Sequence, residues 1–163
     1  MRTLRQLWNS WILWVATAVL FCFVTTAASA QNKSCQVLSA GEINSALGTH
    51  FTKSQAEPER EGRMNCVYGD PDGDQNVRVA VANHIGAADF KKEIIVMNGD
   101  NPAPTKPLPG LGDQAEILEI PPSVTGVFAR QGRTVVAVVV VGLPPQQAKA
   151  EIDKLIRVAF SRL

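Results

Sequence analysis

The sequence predicts an α+β domain with one disulfide. Its antiparallel sheet has about five strands, and helices pack on one face of that sheet. Three observations support this prediction. Short segments of alternating apolar residues are typical of strands, and longer amphipathic segments are typical of helices. Two cysteines remain once a predicted leader is removed. The segment 31–163 is long enough for one domain with its own core and too short for two.

The first thirty residues have the order of an export signal. A short basic region precedes the nearly unbroken apolar stretch 11–24, and the segment ends in Ala28-Ser29-Ala30, the A-x-A pattern that a signal peptidase accepts. We therefore predict a signal peptide over 1–30 and a periplasmic or secreted domain over 31–163. The alternative is membrane anchoring through an uncleaved leader, because the apolar stretch approaches the roughly 18 residues that span a bilayer.

Cleavage after Ala30 would remove Cys22 and leave Cys35 and Cys66 as an even pair. In an oxidising compartment such a pair predicts a disulfide. A redox or metal pair would need C-x-x-C spacing or neighbouring histidine ligands, and the sequence around these cysteines has neither. The sequence therefore predicts a structural Cys35–Cys66 bond.

The charge balance bears on the partners. The chain carries 16 basic and 15 acidic residues, and loss of Arg2 and Arg5 with the leader leaves one acid in excess. Nucleic acid and anionic lipid attract proteins with a basic excess or cluster. We expect neither nucleic-acid binding nor stable membrane insertion after cleavage. We also expect no cofactor, and a partner that is either a small molecule or an envelope protein.

A helix is predicted first along the mature segment. Ser39 and Glu42 have the spacing of a capping box, which starts a helix over 40–47, and Gly48 suits the left-handed residue that ends one. The segment Phe51–Met64 is polar and has neither helical nor strand periodicity. It predicts an exposed loop inside the disulfide ring.

The next elements are two strands and a helix. Strands are predicted over Asn65–Tyr68 and Asn76–His84, the second with valines at alternate positions. A helix is predicted over Ala87–Asn98, with an apolar face opposite Lys91, Lys92 and Glu93. The apolar face of this helix consists of Phe90, Ile94 and Met97.

The second half of the chain is rich in strands. Asp100–Gly112 contains four prolines and is predicted to be a crossing loop without regular structure. Three strands follow, over Gln114–Ile120, Gly126–Arg130 and Thr134–Val141. The last is apolar on both faces, so it is predicted to be a central strand covered on both sides, the alternative being a strand that faces a partner. A final helix starts at Pro144-Pro145 with the apolar stripe Ala148, Ile152, Leu155, Ile156, Ala159 and Leu163.

One acidic turn is a candidate for weak calcium binding. Asp70, Asp72 and Asp74 alternate as at the start of a calcium loop. Gln75 then stands where the sharp turn needs glycine, and Val81 where a bidentate Glu should be. The same residue types also build an ordinary hairpin turn, and we expect the plain turn and no metal.

Catalytic residues are not predicted. His50 and His84 are the two histidines, and neither lies in a recognisable catalytic setting. The sequence has no G-x-S-x-G, no H-E-x-x-H and no glycine-rich phosphate loop. Carboxylates that pair only in space would still permit a hydrolase.

The most distinctive local string is the candidate ligand loop, which begins after Leu108. Its two glycines permit backbone angles that other residues resist, and its aspartate can hydrogen-bond backbone amides. The alternative is a structural corner. The candidate ligand loop consists of Pro109, Gly110, Leu111, Gly112 and Asp113.

The order of these motifs resembles a group of small secreted domains of unknown function. The shared features are Cys35 before the capping-box helix, the Asn65-Cys66-x-Tyr68 strand, the Pro109–Ala115 corner and a C-terminal amphipathic helix. Many of the similar domains are actinobacterial lipoproteins, and the extracellular sensor domain of some mycobacterial serine/threonine kinases is also similar. The resemblance implies an α+β fold with a disulfide and a ligand cleft, and it implies no catalytic residues. This chain departs from the lipoproteins because Phe21 precedes Cys22, where lipidation needs Gly or Ala.

The expected function is an extracytoplasmic, non-enzymatic module that binds a ligand or another protein. One alternative is an extracytoplasmic enzyme of hydrolase type that uses dispersed carboxylates. The other is a structural protein of the cell envelope. A cleft with coupled titratable groups favours the enzyme, an apolar cleft the binding module, and a flat apolar patch the interaction protein.

Overall fold

The computed structural model describes residues 34–60, 62–69, 73–100, 102 and 104–163. The predicted signal peptide, 1–30, lies outside the described residues. Within them, no helix is both long enough and apolar enough to cross a membrane.

Among the described residues, the centre of the fold is a seven-stranded sheet in which every neighbouring pair is antiparallel. Its spatial order is β1-β2-β3-β7-β6-β5-β4. The strands are β1 Ser54–Arg60, β2 Arg63–Gly69, β3 Asn76–Ala82, β4 Thr105–Pro107, β5 Gln114–Ile120, β6 Val124–Gln131 and β7 Thr134–Val141. The helices are α1 Ser34–Val37, α2 Ala40–Leu47, α3 Phe90–Met97 and α4 Pro145–Phe160. The α+β class is therefore confirmed, and the count of about five strands was too low.

The two strands that the sequence did not predict are both at the edges of the sheet. The predicted loop Phe51–Met64 instead contains β1 and the start of β2, and the predicted loop Asp100–Gly112 contains β4. An edge strand need not bury a side-chain face or donate to a second neighbour, so it can be polar and tolerate proline, as at Pro58 and Pro107. Such edges also resist pairing with other chains.

Helices cover both faces of the sheet, so the prediction that they pack on one face was wrong. We define the first face as the one that packs against α2 and α4, and the second face as the one that packs against α3. On the second face Phe90, Ile94 and Met97 of α3 form a cluster with Phe128 of β6 and Ala137 of β7. The physical reason is that β7 presents apolar side chains to both faces, and each set needs its own cover.

β7 is the fourth strand of the seven and lies between β3 and β6. Its side chains Val136, Val138 and Val140 belong to the core of the first face, whereas Val135 and Ala137 belong to the second. The prediction of a central strand covered on both sides is confirmed. Burial of this strand on both faces explains why its sequence is apolar at consecutive positions.

The segment that begins at Ser34 folds as its local sequence predicts. The Oγ atom of Ser39 accepts from the Glu42 amide at 3.3 Å, and the Glu42 carboxylate accepts from the Ser39 amide at 2.8 Å, which completes the capping box. Gly48 ends α2 with φ 67°. The predicted disulfide between Cys35 of α1 and Cys66 of β2 is present, with 5.1 Å between the Cα atoms.

The C-terminal helix follows its predicted stripe except at the end. The residues Ala148, Ile152, Leu155, Ile156 and Ala159 are buried on the first face. Leu163 is 52% exposed because α4 ends at Phe160, so its place in the stripe was predicted wrongly. The next-to-last residue, Arg162, instead bonds to the start of α2.

Arg162 forms hydrogen bonds with α1 and α2. Its Nη1 atom donates to the Val37 carbonyl at 2.7 Å and to Oε2 of Glu42 at 3.0 Å, and its Nη2 atom pairs with Oε1 of Glu42. These bonds from Arg162, followed by those from Ser39, lower the pKa of Glu42 from 4.5 to about 2. The ionised carboxylate therefore favours the folded state.

This pair predicts a pH-dependent part of the stability. A carboxyl with a lowered pKa in the folded state stabilises the protein above its unfolded value, and we expect that contribution to be lost as the pH falls from about 4.5 to about 2. Arg162→Met should lower the urea midpoint at pH 7 and should lose less stability than the wild type on acidification. Urea melts between pH 7 and pH 2 measure both. A constant difference between the two proteins over this range would contradict the assignment.

Candidate functional site

A groove lies between the start of α3 and the segment 107–116. Its cavity volume is about 560 Å³, within the range of about 300–1,000 Å³ that is typical of small-molecule sites. Residues Ala87, Ala88, Phe90 and Lys91 line one part of the groove. The other part is lined by every residue from Pro107 to Glu116, and so it includes Pro109, Gly110, Leu111, Gly112 and Asp113 of the candidate ligand loop.

Three contacts hold this loop and the residue before it in place. The Nη2 atom of Arg157 on α4 donates to the Gly110 carbonyl at 2.6 Å, and the amide of Leu108 donates to Ala115 at 2.9 Å. Leu111 is buried in the core of the first face. The loop therefore forms a fixed wall of the groove, and a ligand need not order it on binding.

The glycine at position 112 is required by the local geometry. Gly112 has φ 63°, and a Cβ atom there would collide with the carbonyl of Arg130. That carbonyl accepts a hydrogen bond from the Asp113 amide at 2.8 Å. The glycine thus lets the loop approach β6 closely.

Asp113 has a structural role. Its Oδ2 atom accepts from the amide of Gly132 at 2.8 Å and lies 3.3 Å from Nη1 of Arg130. Arg130 also donates from Nε to the Oε1 atom of Gln114 at 2.8 Å. Asp113 therefore stabilises the turn between β6 and β7, in keeping with the prediction that it bonds backbone amides.

The groove also contains a charged pair that no sequence pattern predicted. Glu116 of β5 is only 8% exposed and lies on the second face. The hydroxyl of Thr105 on β4 donates to its Oε2 atom. The Nζ atom of Lys91 lies 3.6 Å from Oε1, and the Lys91 side chain is 83% exposed. The buried carboxylate of Glu116 thus has a hydrogen-bond partner at Oε2, the Thr105 hydroxyl, and a more distant ion-pair partner at Oε1, the Lys91 amine.

A second correction concerns the face of α3 that was predicted to point away from the core. Glu93 is buried, and the guanidinium of Arg63 on β2 binds it at both oxygens, with Nε to Oε1 at 2.6 Å and Nη2 to Oε2 at 3.0 Å. The amphipathic pattern missed this because a charged residue can be buried when a charged partner lies across the interface. Two ion pairs therefore connect α3 to the sheet: Glu93 with Arg63 of β2, and Lys91 with Glu116 of β5.

A smaller cavity of about 360 Å³ lies at the other end of α3. Met97, Val139 and Val141 are its apolar side chains, and Arg78 is its charged one. The guanidinium of Arg78 is 3.4 Å from Oε1 of Glu57. None of the candidate ligand-loop residues lines this second cavity.

The remaining candidate residues lie elsewhere. Asp74 is exposed, and its calcium-loop partners Asp70 and Asp72 lie outside the described residues. Among the residues that the structure describes, no three His, Cys, Asp or Glu side chains are grouped so that they could hold a metal ion. His50 and His84 are both exposed and line neither cavity.

Comparisons of the chain with protein-family models, with curated proteins and with solved structures find no match. The resemblance to small secreted lipoproteins and kinase sensor domains therefore stays a prediction.

Proposed function

We propose that the protein is an extracytoplasmic, non-enzymatic binding module and that the groove beside α3 is its ligand site. The observation that supports this most is the construction of the groove. A loop rich in glycine and proline is fixed by Arg157 and by the buried Leu111, and it surrounds an open space that contains a buried carboxylate. Preformed concave sites with a few placed polar groups are typical of ligand binding.

The extracytoplasmic location is supported by two features. Cys35 and Cys66 form a disulfide, and disulfides form and persist in oxidising compartments. The order of residues 1–30 matches an export signal.

The charged groups of the groove favour binding over catalysis. Covalent and acid–base catalysis require a nucleophile or base that is free to reach a substrate. Asp113 bonds to the turn at Gly132, and Glu116 accepts from Thr105. His50 and His84 do not line the groove, so its described lining residues offer apolar contact, the Glu116–Lys91 ion pair and the bonded Asp113 rather than a catalytic group.

A variant that fills the groove tests this proposal. Ala88 is exposed and lines the groove, so Ala88→Trp should occupy its volume without disturbing the core. Ala150 is exposed on α4 and lines neither cavity, so Ala150→Trp is the matched control. We expect fragments from a small-molecule library to shift the amide resonances of residues 87–91 and of the non-proline residues in 107–116. Ala88→Trp should weaken their binding about tenfold or more, whereas Ala150→Trp should not change it.

The readout is a two-dimensional ¹H–¹⁵N NMR titration of the purified protein. Fragments that shift a different surface, or that bind Ala88→Trp as well as the wild type, would contradict the proposed site. The proposed site is also contradicted if no fragment of the library binds at the groove.

A further inference from the structure

We infer that the ligand of this groove is a small organic cation, an ammonium or guanidinium group on an apolar body, with Glu116 as its counter-ion. This inference rests on the proposed function, since it names the chemical class that the same site would take. Three features of the groove support it: the incomplete pairing of Glu116, the exposure of Lys91 and the surrounding charge.

Glu116 is the first feature. A buried carboxylate is costly unless hydrogen bonds or opposite charges compensate it. Its Oε2 atom accepts from the hydroxyl of Thr105, whereas Oε1 faces the Nζ atom of Lys91 at 3.6 Å. That separation exceeds the hydrogen-bond distance of about 2.7–3.2 Å. A cation that approaches Oε1 more closely would therefore be favoured there.

Lys91 is the second feature, because a ligand can displace it. Its side chain is 83% exposed and has a flexible four-carbon stem. Ion pairs made by such exposed side chains contribute little to stability. An incoming ammonium group could take its place beside Oε1 while Lys91 turns into solvent. The lysine thus shows which chemical class fits the position without blocking it.

The surrounding charge is the third feature. Asp113 lines the groove but is paired with Arg130, so Glu116 and Lys91 are the charged groups among the described lining residues that a ligand would meet. The positive end of α3 also points toward the groove, and the carboxylate of Asp89 at its N-cap complements it. An anionic ligand would meet the buried charge of Glu116. The apolar body of a cation would instead contact Phe90, Leu108 and Pro109.

Three probes with one carbon skeleton separate the alternatives: phenylbutylamine, phenylbutanol and phenylbutyrate. They carry a positive, a neutral and a negative head group, and their affinities are measured by NMR titration of the purified protein at pH 7 and low salt. We expect the amine to bind about tenfold more tightly than the alcohol. Glu116→Gln should remove most of that preference and leave the alcohol unaffected. Lys91→Met should preserve or increase the affinity for the amine.

Glu119→Gln is the matched control for Glu116→Gln. Glu119 lies three residues along β5, on the opposite face of the sheet, and is not part of the groove lining. It should leave all three affinities unchanged. The preference of the wild type for the amine and the effect of Lys91→Met require no change to a buried residue, so they decide the question even if Glu116→Gln fails to fold.

Two results would overturn the inference while leaving the groove as the binding site. One is equal binding of the amine and the alcohol at the groove. The other is tightest binding of the butyrate, with Lys91→Met weakening it. If library fragments bind only at another surface, the proposed function itself fails.

Discussion

Replacing both bonded cysteines, Cys35→Ala with Cys66→Ala, is expected to lower the free energy of unfolding by about 3.5 kcal/mol. The bond closes a loop with a sequence separation of 31 residues, and a loop of this size gives roughly that value in the chain-entropy model. Alanine is chosen because Cys66 is fully buried and a serine hydroxyl there would add an unpaired polar group. The loss would be a large part of the typical total of about 5–15 kcal/mol.

Urea melts of the oxidised wild type, the reduced wild type and the double variant measure this effect. The reduced wild type and the variant should share one midpoint, well below that of the oxidised protein. Near-coincident midpoints for all three would show that other contacts hold α1 on β2, for example the bond from the Tyr68 hydroxyl to the Leu38 carbonyl.

The parts of the fold that sequence reasoning predicted well are specified by local patterns. The capping box at Ser39, the helix 40–47 and its left-handed end at Gly48 depend on residues within one or two turns. The strands Gln114–Ile120 and Thr134–Val141 were predicted with their observed bounds because apolar residues occupy most of their buried positions.

The parts that were missed depend on pairing across the chain. β1 and β4 are strands because β2 and β5 provide hydrogen-bonding partners, and their own residues carry no periodic burial signal. An amphipathic pattern shows that α3 buries one face, but it does not specify which face of the sheet receives it. The apolar residues on both sides of β7 were the available signal for helices on both faces.

The candidate site was likewise predictable where it depends on local sequence, and it was not predictable where it depends on pairing across the chain. The loop around Gly110 and Gly112 was predictable because its composition requires unusual backbone angles. The pair of Lys91 and Glu116 was not, because the two residues are brought together only when α3 packs across β5 and β6. In the sequence, Glu116 stands between the apolar residues Ala115 and Ile117 of β5, and this position of a charged residue is the trace that the sequence retains.

The packing of α4 on the first face predicts the second large effect. Ile152 has no exposed surface and lies in the core cluster that α4 forms with β6 and β7. Ile152→Ala should lower the free energy of unfolding by about 2–5 kcal/mol, because it removes apolar contact and leaves a cavity. Lys149, one turn earlier, is exposed, and Lys149→Ala should change the stability by no more than about 0.5 kcal/mol.

Denaturant melts of both variants at neutral pH distinguish packing from helix propensity. Both substitutions place alanine, the best helix former, in the same helix, so any loss of stability in Ile152→Ala must come from packing rather than from the helix itself. Equal and small effects would mean that α4 does not dock on the sheet. In that case Arg157 would not be held beside Gly110, and the fixed wall of the groove would lose one of its supports.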